Sequence, residues 1–339
     1  MGIRLLSGFD DPLLTPERWS ALLQTGDTNV VFLTWHWQRA WWDTFGRGQL
    51  LLIAIERDGQ IEALAPLFAE AGMVFFAGSG ESDYLDFIGD VSSPGDLDLI
   101  LETARESVKE FLGFRFYLVP DCSRTGSLLN AAANRLGFAV FDEGEMIAPA
   151  YDFGAQVDDA SSVTEKKSLL RHEKFFRREE SIEVVHINDG VKILPHLREF
   201  FEQHIARWEA TSSPSLFHDD NTRAFYERLT EVARGTGWLR FTRINWKGKP
   251  IAFHFGSCYA GRYLWYKPTF AIELARHSPG EVLLRQLLLA AKNEGSRVFD
   301  FGLGDEGFKR RFANQITTVR TWGLYPTLER SEASVAWRK

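Results

Sequence analysis

The stretch His277-Ser278-Pro279-Gly280 lies between three predicted β-strands and a predicted helix. The first half of the chain has Ser92-Ser93-Pro94-Gly95 at the corresponding place. Around both stretches the predicted elements follow one order: a meander of three strands, the Ser-Pro-Gly loop, a helix, a strand, a helix and a last strand. This order predicts that one α/β module occurs twice in the chain.

The length of the chain also indicates two modules. With 339 residues, it exceeds the usual domain size of roughly 100 to 200 residues. We expect a first module at residues 1–155 and a second at residues 156–339. The predicted fold class is α/β (α+β), with a mixed central sheet flanked by helices in each module.

The composition is typical of a packed globular protein, with 45% hydrophobic and 25% charged residues. No apolar run approaches the roughly 20 residues that span a bilayer, and residues 1–15 lack a signal-peptide core. Cys122 and Cys258 are too few for a disulfide framework or a zinc cluster. The sequence therefore predicts a cytoplasmic protein without a membrane span or a metal.

The formal net charge of −7 is distributed unevenly. Residues 1–155 hold 10 Lys and Arg against 23 Asp and Glu, a net charge of −13, whereas residues 156–339 hold 29 against 23, a net charge of +6. The acidic total argues against DNA binding, and the basic second half favours a polyanionic ligand such as a coenzyme. Uneven solubilising charge is the alternative. The basic helix at about residues 165–180 also contains acids, so we interpret it as a solvated face.

Four strings carry a family resemblance. They read TWHWQRAWW at residues 34–42, SDYLDF at residues 82–87, HSPG at residues 277–280 and FDFGLGDEGFK at residues 299–309. In this order they resemble the CelD-type acetyltransferases of the GNAT superfamily, which are related to the FemAB peptidyl transferases. The resemblance implies tandem GNAT-like acyl-CoA N-acyltransferase modules, acyl transfer to an amine or hydroxyl, and a role near exopolysaccharide or cell-envelope synthesis.

The resemblance also implies the donor and the partners. The expected donor is acetyl-CoA or another acyl-CoA, and the expected acceptor is a small molecule, a glycan or a peptide. In the FemAB branch the donor is aminoacyl-tRNA and a helical arm is usually inserted. No long coiled-coil arm is predicted here, which argues against a tRNA partner. A catalytically degenerate scaffold in polysaccharide synthesis is the alternative that is not an enzyme.

The predicted donor site is the start of the helix that follows Ser278-Pro279-Gly280. Unpaired N–H groups and a partial positive charge at a helix start bind phosphate, and a glycine lets the anion approach the backbone. The first-half copy lies among acids, so we assign the donor to the second half. The predicted donor-binding residues are Arg276, His277, Ser278, Pro279, Gly280 and Arg285. An ordinary helix start is the alternative.

Four residues are candidates for catalysis. Asp300, on an apolar strand, is a candidate base, and Lys309 follows it at the position of a family lysine, where it can stabilise a phosphate or an oxyanion. His254, in the middle strand of the meander, is a second candidate base, and Tyr266 is a candidate acid for the leaving thiolate. For each, a structural hydrogen-bonding role or a solvated surface position is the alternative.

Acceptor binding is predicted in two places. Asp83 and Asp86 lie on a short extended segment of the first module, where two acids can bind an amine or sugar hydroxyls. Arg207 and Trp208 end a helix before a polar loop and match positions that the family tends to retain. Edge-strand solubility explains the acids equally well, and an arginine lying over an aromatic ring explains the second pair.

Overall fold

The computed structural model describes residues 2–155, 163–209 and 211–327. The chain forms two compact units. The first comprises residues 1–147 together with the segment from Thr317 onward, and the second comprises residues 148–316. Within the described ranges, no helix is both long and apolar enough to cross a membrane.

The first unit is built on a mixed sheet. Its elements are β1 (Gly2–Leu6), α1 (Pro16–Thr25), α2 (Trp35–Phe45), β2 (Gln49–Arg57), β3 (Gln60–Glu70), β4 (Met73–Phe76), β5 (Ile88–Gly89), α3 (Asp96–Ser107), β6 (Gly113–Pro120), α4 (Thr125–Leu136) and β7 (Phe138–Asp152). Strands β1 to β4 pair antiparallel in sequence order, and β5 adds to β3. Strands β4 and β6 pair in parallel, so the sheet is mixed.

The second unit has a similar sheet. Its elements are α5 (Lys167–Glu179), β8 (Glu183–Ile187), α6 (Gly190–Ile193), α7 (Leu197–Glu209), α8 (Asp220–Val232), β9 (Leu239–Trp246), β10 (Lys249–Tyr259), β11 (Arg262–Phe270), α9 (Pro279–Asn293), β12 (Val298–Asp300) and α10 (Gly307–Phe312). The last described strand, β13 (Gln315–Pro326), belongs to the first unit from Thr317 onward. Strands β8 to β11 pair antiparallel in sequence order. Strand β12 pairs in parallel with β11 and antiparallel with residues 150–152, the end of β7, which belong to this second unit.

The repeated order of elements and the mixed α/β fold class are confirmed. Strands β2 to β4, α3, β6, α4 and β7 follow one another in the first unit, and β9 to β11, α9, β12, α10 and β13 follow in the same order along the chain. In both series the third strand pairs in parallel with the strand after the helix.

The observed unit boundary differs from the predicted division into residues 1–155 and 156–339. Strand β13 pairs antiparallel with β6, in a register that aligns Val319 with Pro120 and Leu324 with Phe114. Because Val319 and Leu324 are buried there, this strand contributes to the core of the first unit although it ends the described chain. Period-2 patterning predicts such a strand but not its partner.

Strands β11 and β12 separate within the second unit. Their parallel pairing ends where Leu264 lies opposite Asp300, whereas β11 continues to Phe270. The neighbouring pair of β10 and β11 contains a register shift between Phe255 and Ser257. A bulge of this kind bends a strand and increases its twist. The end of β11 therefore leaves a gap beside β12.

Helix α9 is anchored beside this gap by its apolar face. Six of its residues are nearly inaccessible to solvent: Val282, Leu283, Leu284, Leu287, Leu288 and Ala291. Helix α5 adds Leu169 and Phe176 to the same core. Burying each large aliphatic side chain stabilises the fold by about 1.5–3 kcal/mol. This packing fixes where the first turn of α9 lies.

Candidate functional site

The second unit contains a cavity of about 570 Å³ beside the separated strands. The end of β11, the first turn of α9 and helix α10 contribute to its walls. Its large apolar lining residues are Trp208, Leu216, Trp265, Phe270, Leu284, Phe301 and Phe308. Its charged lining residues are Arg207, Lys267, Glu281, Glu306 and Lys309. A mostly apolar cavity with a few charged groups is typical of a small-molecule site.

The cavity brings together part of the predicted site. The predicted residues that line it are Arg207, Trp208, Tyr266, Ser278, Gly280 and Lys309. The predicted residues outside its lining are Asp83, Asp86, His254, Arg276, His277, Pro279, Arg285 and Asp300. This one cavity is therefore lined by some of the residues predicted for donor binding, some predicted for acceptor binding and some predicted for catalysis.

The first turn of α9 opens onto the cavity. Ser278 adopts a left-handed conformation, with φ 55°, and its carbonyl oxygen accepts the N–H of Glu281 at 3.0 Å. Pro279 is buried as the first helical residue, and Gly280 follows it. A Cβ atom on Gly280 would lie 3.1 Å from Cδ1 of Phe270. A glycine here thus lets the helix start and the end of β11 approach closely.

Two predicted donor-binding residues make other contacts. The His277 ring stacks on Phe175, with 3.8 Å between ring centroids, and its Nε2 accepts from Nε of Arg276 at 2.9 Å. Arg285 donates from Nη1 to Oε2 of Glu173 at 2.6 Å and from Nε to the carbonyl oxygen of Thr164 at 2.9 Å. Arg285 therefore joins α5 to α9, which explains its place outside the cavity lining.

The guanidinium of Arg207 lines the cavity, where it contacts a carbonyl oxygen and two aromatic rings. Its Nη1 donates to the carbonyl oxygen of Pro268 at 2.8 Å, and its Cζ lies 4.3 Å from the Phe270 ring centroid and 5.5 Å from that of Trp208. Burial lowers the pKa of Arg207 to about 10, so the group is still cationic at neutral pH. A partly buried cation held mainly by aromatic rings can bind an anionic ligand group.

His204 also lines the cavity and was not predicted from the sequence. Its Nε2 accepts from Nε1 of Trp208 at 3.1 Å, so its Nδ1 carries the proton toward Oγ of Ser215 at 2.8 Å. Burial lowers the pKa of His204 to about 3, which keeps the ring neutral. The signal was available, because His204 lies one helical turn before Trp208. The neutral ring fixes the orientation of the Trp208 indole.

Lys309 and Glu306 form the polar corner of the cavity. The side chain of Lys309 is almost fully buried, and its Nζ lies 3.0 Å from Oε2 of Glu306 and donates to the carbonyl oxygen of Leu303. The Glu306 side chain is about half exposed. On strand β11, which also lines the cavity, Nζ of Lys267 lies 4.2 Å from the Tyr266 ring centroid. A cation, a carboxylate and a phenol are thus available at one cavity.

The structure places Asp300 and His254 inside the sheet instead. Asp300 is fully buried and accepts from Nη1 of Arg262 at 2.9 Å and from the N–H of Gly302 at 2.8 Å. His254 is also fully buried, and its Nε2 lies 3.1 Å from the carbonyl oxygen of Leu264, beside the register shift of β10. Burial lowers the pKa of His254 to about 3. These contacts indicate structural roles for both predicted bases.

Asp86 is a structural residue of the first unit. It is buried and accepts from the hydroxyls of Thr28 and Thr125, each at 2.6 Å, and from the N–H of Phe87 at 2.8 Å. Burial raises the pKa of this carboxyl. Asp83 is partly exposed. The two acids therefore differ in their access to a ligand, unlike the paired arrangement predicted from the sequence.

Comparison with known proteins identifies a domain in the second half. Residues 166–310 match the family described as "Acetyltransferase (GNAT) domain". This range contains every residue of the cavity lining. No curated protein matches the chain.

Solved structures share the fold across both units. FemX has a TM-score of 0.70 at 11% identity, with 99% of each chain covered. The structure of L-PGS from Bacillus licheniformis has a TM-score of 0.57 at 15% identity, covering 93% of this chain and 92% of that one. A tandem GNAT protein from the clavulanic acid biosynthesis pathway has a TM-score of 0.50 at 12% identity, covering 96% and 99%. At these identities the likeness shows the fold alone.

Proposed function

From the premise that this chain has a tandem GNAT fold related to FemX, with a GNAT acetyltransferase domain at residues 166–310, we propose that it transfers an acyl group from acyl-CoA to an amine or hydroxyl. The observation that carries the proposal is the cavity. It joins a helix start suited to phosphate with an aromatic wall that contains the partly buried guanidinium of Arg207.

The donor binds with its pyrophosphate at the first turn of α9. Ser278 and Gly280 line the cavity there, and the helix start contributes a partial positive charge. Arg276 and His277 lie directly before this turn, and the Arg276 guanidinium adds positive charge there. The acyl thioester then extends into the gap between β11 and β12. Backbone N–H groups at this gap polarise its carbonyl.

The acceptor binds at the wall formed by Arg207 and Trp208. The guanidinium favours an acceptor with an anionic group, and Trp208 offers an indole face to a sugar or an apolar substituent. This acceptor belongs to exopolysaccharide or cell-envelope synthesis, as the family resemblance implies. The acidic first unit attracts cationic parts of an acceptor through its overall charge, with Asp83 as its accessible carboxylate.

The chemistry is a nucleophilic substitution at the thioester. The acceptor nitrogen or oxygen attacks the carbonyl carbon, a carbon–nitrogen or carbon–oxygen bond forms, and the carbon–sulfur bond breaks. Glu306 takes the acceptor proton, and Lys309 beside it stabilises the oxyanion. Tyr266 gives a proton to the departing CoA thiolate. All three residues line the same cavity.

Aminoacyl-tRNA-dependent transfer is the second candidate. The likeness to FemX favours it, because each chain covers 99% of the other. The lack of a predicted helical arm does not argue against a tRNA donor in the comparison with FemX, because the match covers 99% of the FemX chain. The two candidate functions use different acyl donors, but both place the reaction at the same cavity.

A donor-binding experiment tests the proposal. Isothermal titration of the full chain with acetyl-CoA and with a longer acyl-CoA is expected to show saturable binding at one site. Single-turnover assays with charged tRNA measure the second candidate. Binding of neither donor would contradict both candidates and favour the non-enzymatic scaffold.

A further inference from the structure

Helix α5 carries a stripe of four exposed cations: Lys167, Arg171, Lys174 and Arg178. Their spacing of four, three and four residues brings them onto one face of the helix, opposite the buried Leu169 and Phe176. With a rise of 1.5 Å per residue, the stripe is about 16 Å long. In the part of the chain that the structure describes, none of the four forms an ion pair with a carboxylate.

The acids of α5 are engaged away from this stripe. Glu173 is buried and pairs with Arg285 at 2.6 Å and with Arg177 at 2.7 Å. Glu179 pairs with Lys247 at 2.6 Å. The sequence suggested a charge-balanced solvated face, but the structure turns the paired acids away from the cations. The stripe cations therefore form no ion pair with these acids, although Lys247 and, more weakly, the charge of Arg178 lower the pKa of the Glu179 carboxylate.

The stripe borders the start of α9. Phe175 lies within it in sequence and stacks on His277, one residue before Ser278. His172 places Nε2 3.6 Å from Oε2 of Glu281, the acid in the first turn of α9, and Arg311 also pairs with Glu281. Side chains of α5 therefore contact both the residue before Ser278 and the first turn of α9.

We propose that this α5 stripe binds the 3′-phosphate end of the CoA donor. The proposal rests on the acyl-CoA donor put forward above and extends its site. If the pyrophosphate lies at the first turn of α9, the nucleotide end of CoA extends outward, and its 3′-phosphate reaches the stripe. Unpaired cations attract such a phosphate more strongly than cations already paired with carboxylates.

Charge favours CoA over a long nucleic acid as the occupant. A polynucleotide extends beyond a 16 Å stripe, and the chain as a whole has a net charge of −7, which disfavours a long polyanion. A coenzyme places its phosphates within the stripe and the adjoining helix start. Arg276, exposed beside His277, adds a further cation at this end.

The experiment compares CoA with 3′-dephospho-CoA, which differs by that one phosphate. Titration of the full wild-type chain is expected to show CoA binding about fivefold or more tightly at low salt. In the triple variant Arg171→Gln, Lys174→Gln, Arg178→Gln, we expect the affinity for CoA to fall to that for 3′-dephospho-CoA. Lys192→Gln, on α6, removes an exposed cation elsewhere and is expected to keep the preference.

The outcomes separate this inference from the proposed function. If CoA binds but the triple variant keeps the wild-type preference, the stripe assignment is overturned and the donor proposal stands. If neither CoA nor 3′-dephospho-CoA binds, both are overturned. A short single-stranded RNA that binds wild type and not the triple variant, and displaces CoA, identifies a nucleic-acid face and also overturns the assignment. Circular dichroism melts of the triple variant show whether its fold is kept.

Discussion

The starts of α3 and α9 follow the same Ser-Pro-Gly sequence and have opposite properties. At α3, Gly95 is followed by Asp96, which is fully buried and paired with Arg57, and by Asp98, which pairs with Arg135. At α9, Ser278 and Gly280 line a cavity, and the acid of the first turn, Glu281, is only partly buried and pairs with Arg311. An acid buried in the first turn satisfies the partial positive charge of its own helix, whereas a turn open to a cavity leaves that charge for a ligand.

The comparison predicts that catalysis depends on the second unit, and Lys309 gives its largest expected effect. Lys309→Ala is expected to lower kcat/KM roughly 100-fold, because it removes the cation beside the proposed oxyanion. Helix α4, at the corresponding place in the first unit, contains no lysine. The measurement is steady-state acetyl transfer, with Lys292→Ala on the exposed end of α9 as the control. Equal losses in both variants would assign Lys309 a general electrostatic role.

The two glycines test the comparison most directly. Gly280→Val is expected to weaken acyl-CoA binding roughly tenfold or more, because the new side chain meets Phe270 and blocks the helix start. Gly95→Val introduces a side chain at φ 90°, a strained conformation, and is expected to lower stability without changing donor affinity.

Isothermal titration of both glycine variants, with thermal melts, measures these effects. Unchanged donor affinity in Gly280→Val would remove the donor from α9. Reduced affinity in Gly95→Val, with the second unit still folded, would place it in the first unit.

Arg207 tests the acceptor wall with a smaller effect. Arg207→Lys keeps the charge but loses the planar group that lies over Phe270 and bonds Pro268. We expect KM for an anionic acceptor to rise roughly fivefold, with donor affinity unchanged. Initial-rate kinetics with a neutral acceptor analogue supply the control. A change in donor affinity would place Arg207 in the donor site.

The sequence predicted the repeated fold because the order of elements depends on local patterns. It also predicted the α9 start, Arg207, Trp208 and Lys309 as residues of interest, and these line one cavity. Glu306 was missed because a single glutamate before a short helix gives no pattern, whereas the spacing of His204 to Trp208 was a usable signal that was not used. The pairing of β13 with β6 was missed because partner choice depends on contacts distant in sequence.

Asp300 and Asp86 extend the comparison to two acids within the family-like strings of the two units. Both are buried and hydrogen-bonded. Asp300→Asn leaves Arg262 without its carboxylate, and we expect a loss of about 2 kcal/mol and a melting midpoint lower by roughly 4–8 °C. Donor affinity is expected to stay unchanged in Asp300→Asn and Asp86→Asn. If Asp300→Asn lowers activity without lowering the melting midpoint, Asp300 is a catalytic residue and not a structural one.

Mild acid is expected to act in opposite directions through His204 and Asp86, one residue in each unit, with the smallest effect of these predictions. The pKa of His204 falls from its ordinary value near 6.5 to about 3 on folding, so between those values the unfolded chain binds more protons and stability falls as the pH falls. The raised pKa of Asp86 has the opposite sign: its folded form binds more protons, so this contribution grows as the pH falls toward 3.8.

Hydrogen exchange at pH 7 and pH 5 can measure this difference, after correction for the intrinsic exchange rate. We expect protection to fall more in peptides from α7 than in peptides around Asp86. The second buried histidine, His254, has a pKa of about 3 and acts in the same direction as His204 within the same unit. His204→Gln removes one titrating group and is expected to reduce the pH dependence in α7. Equal losses of protection in both units would show that other titrating groups determine stability in mild acid.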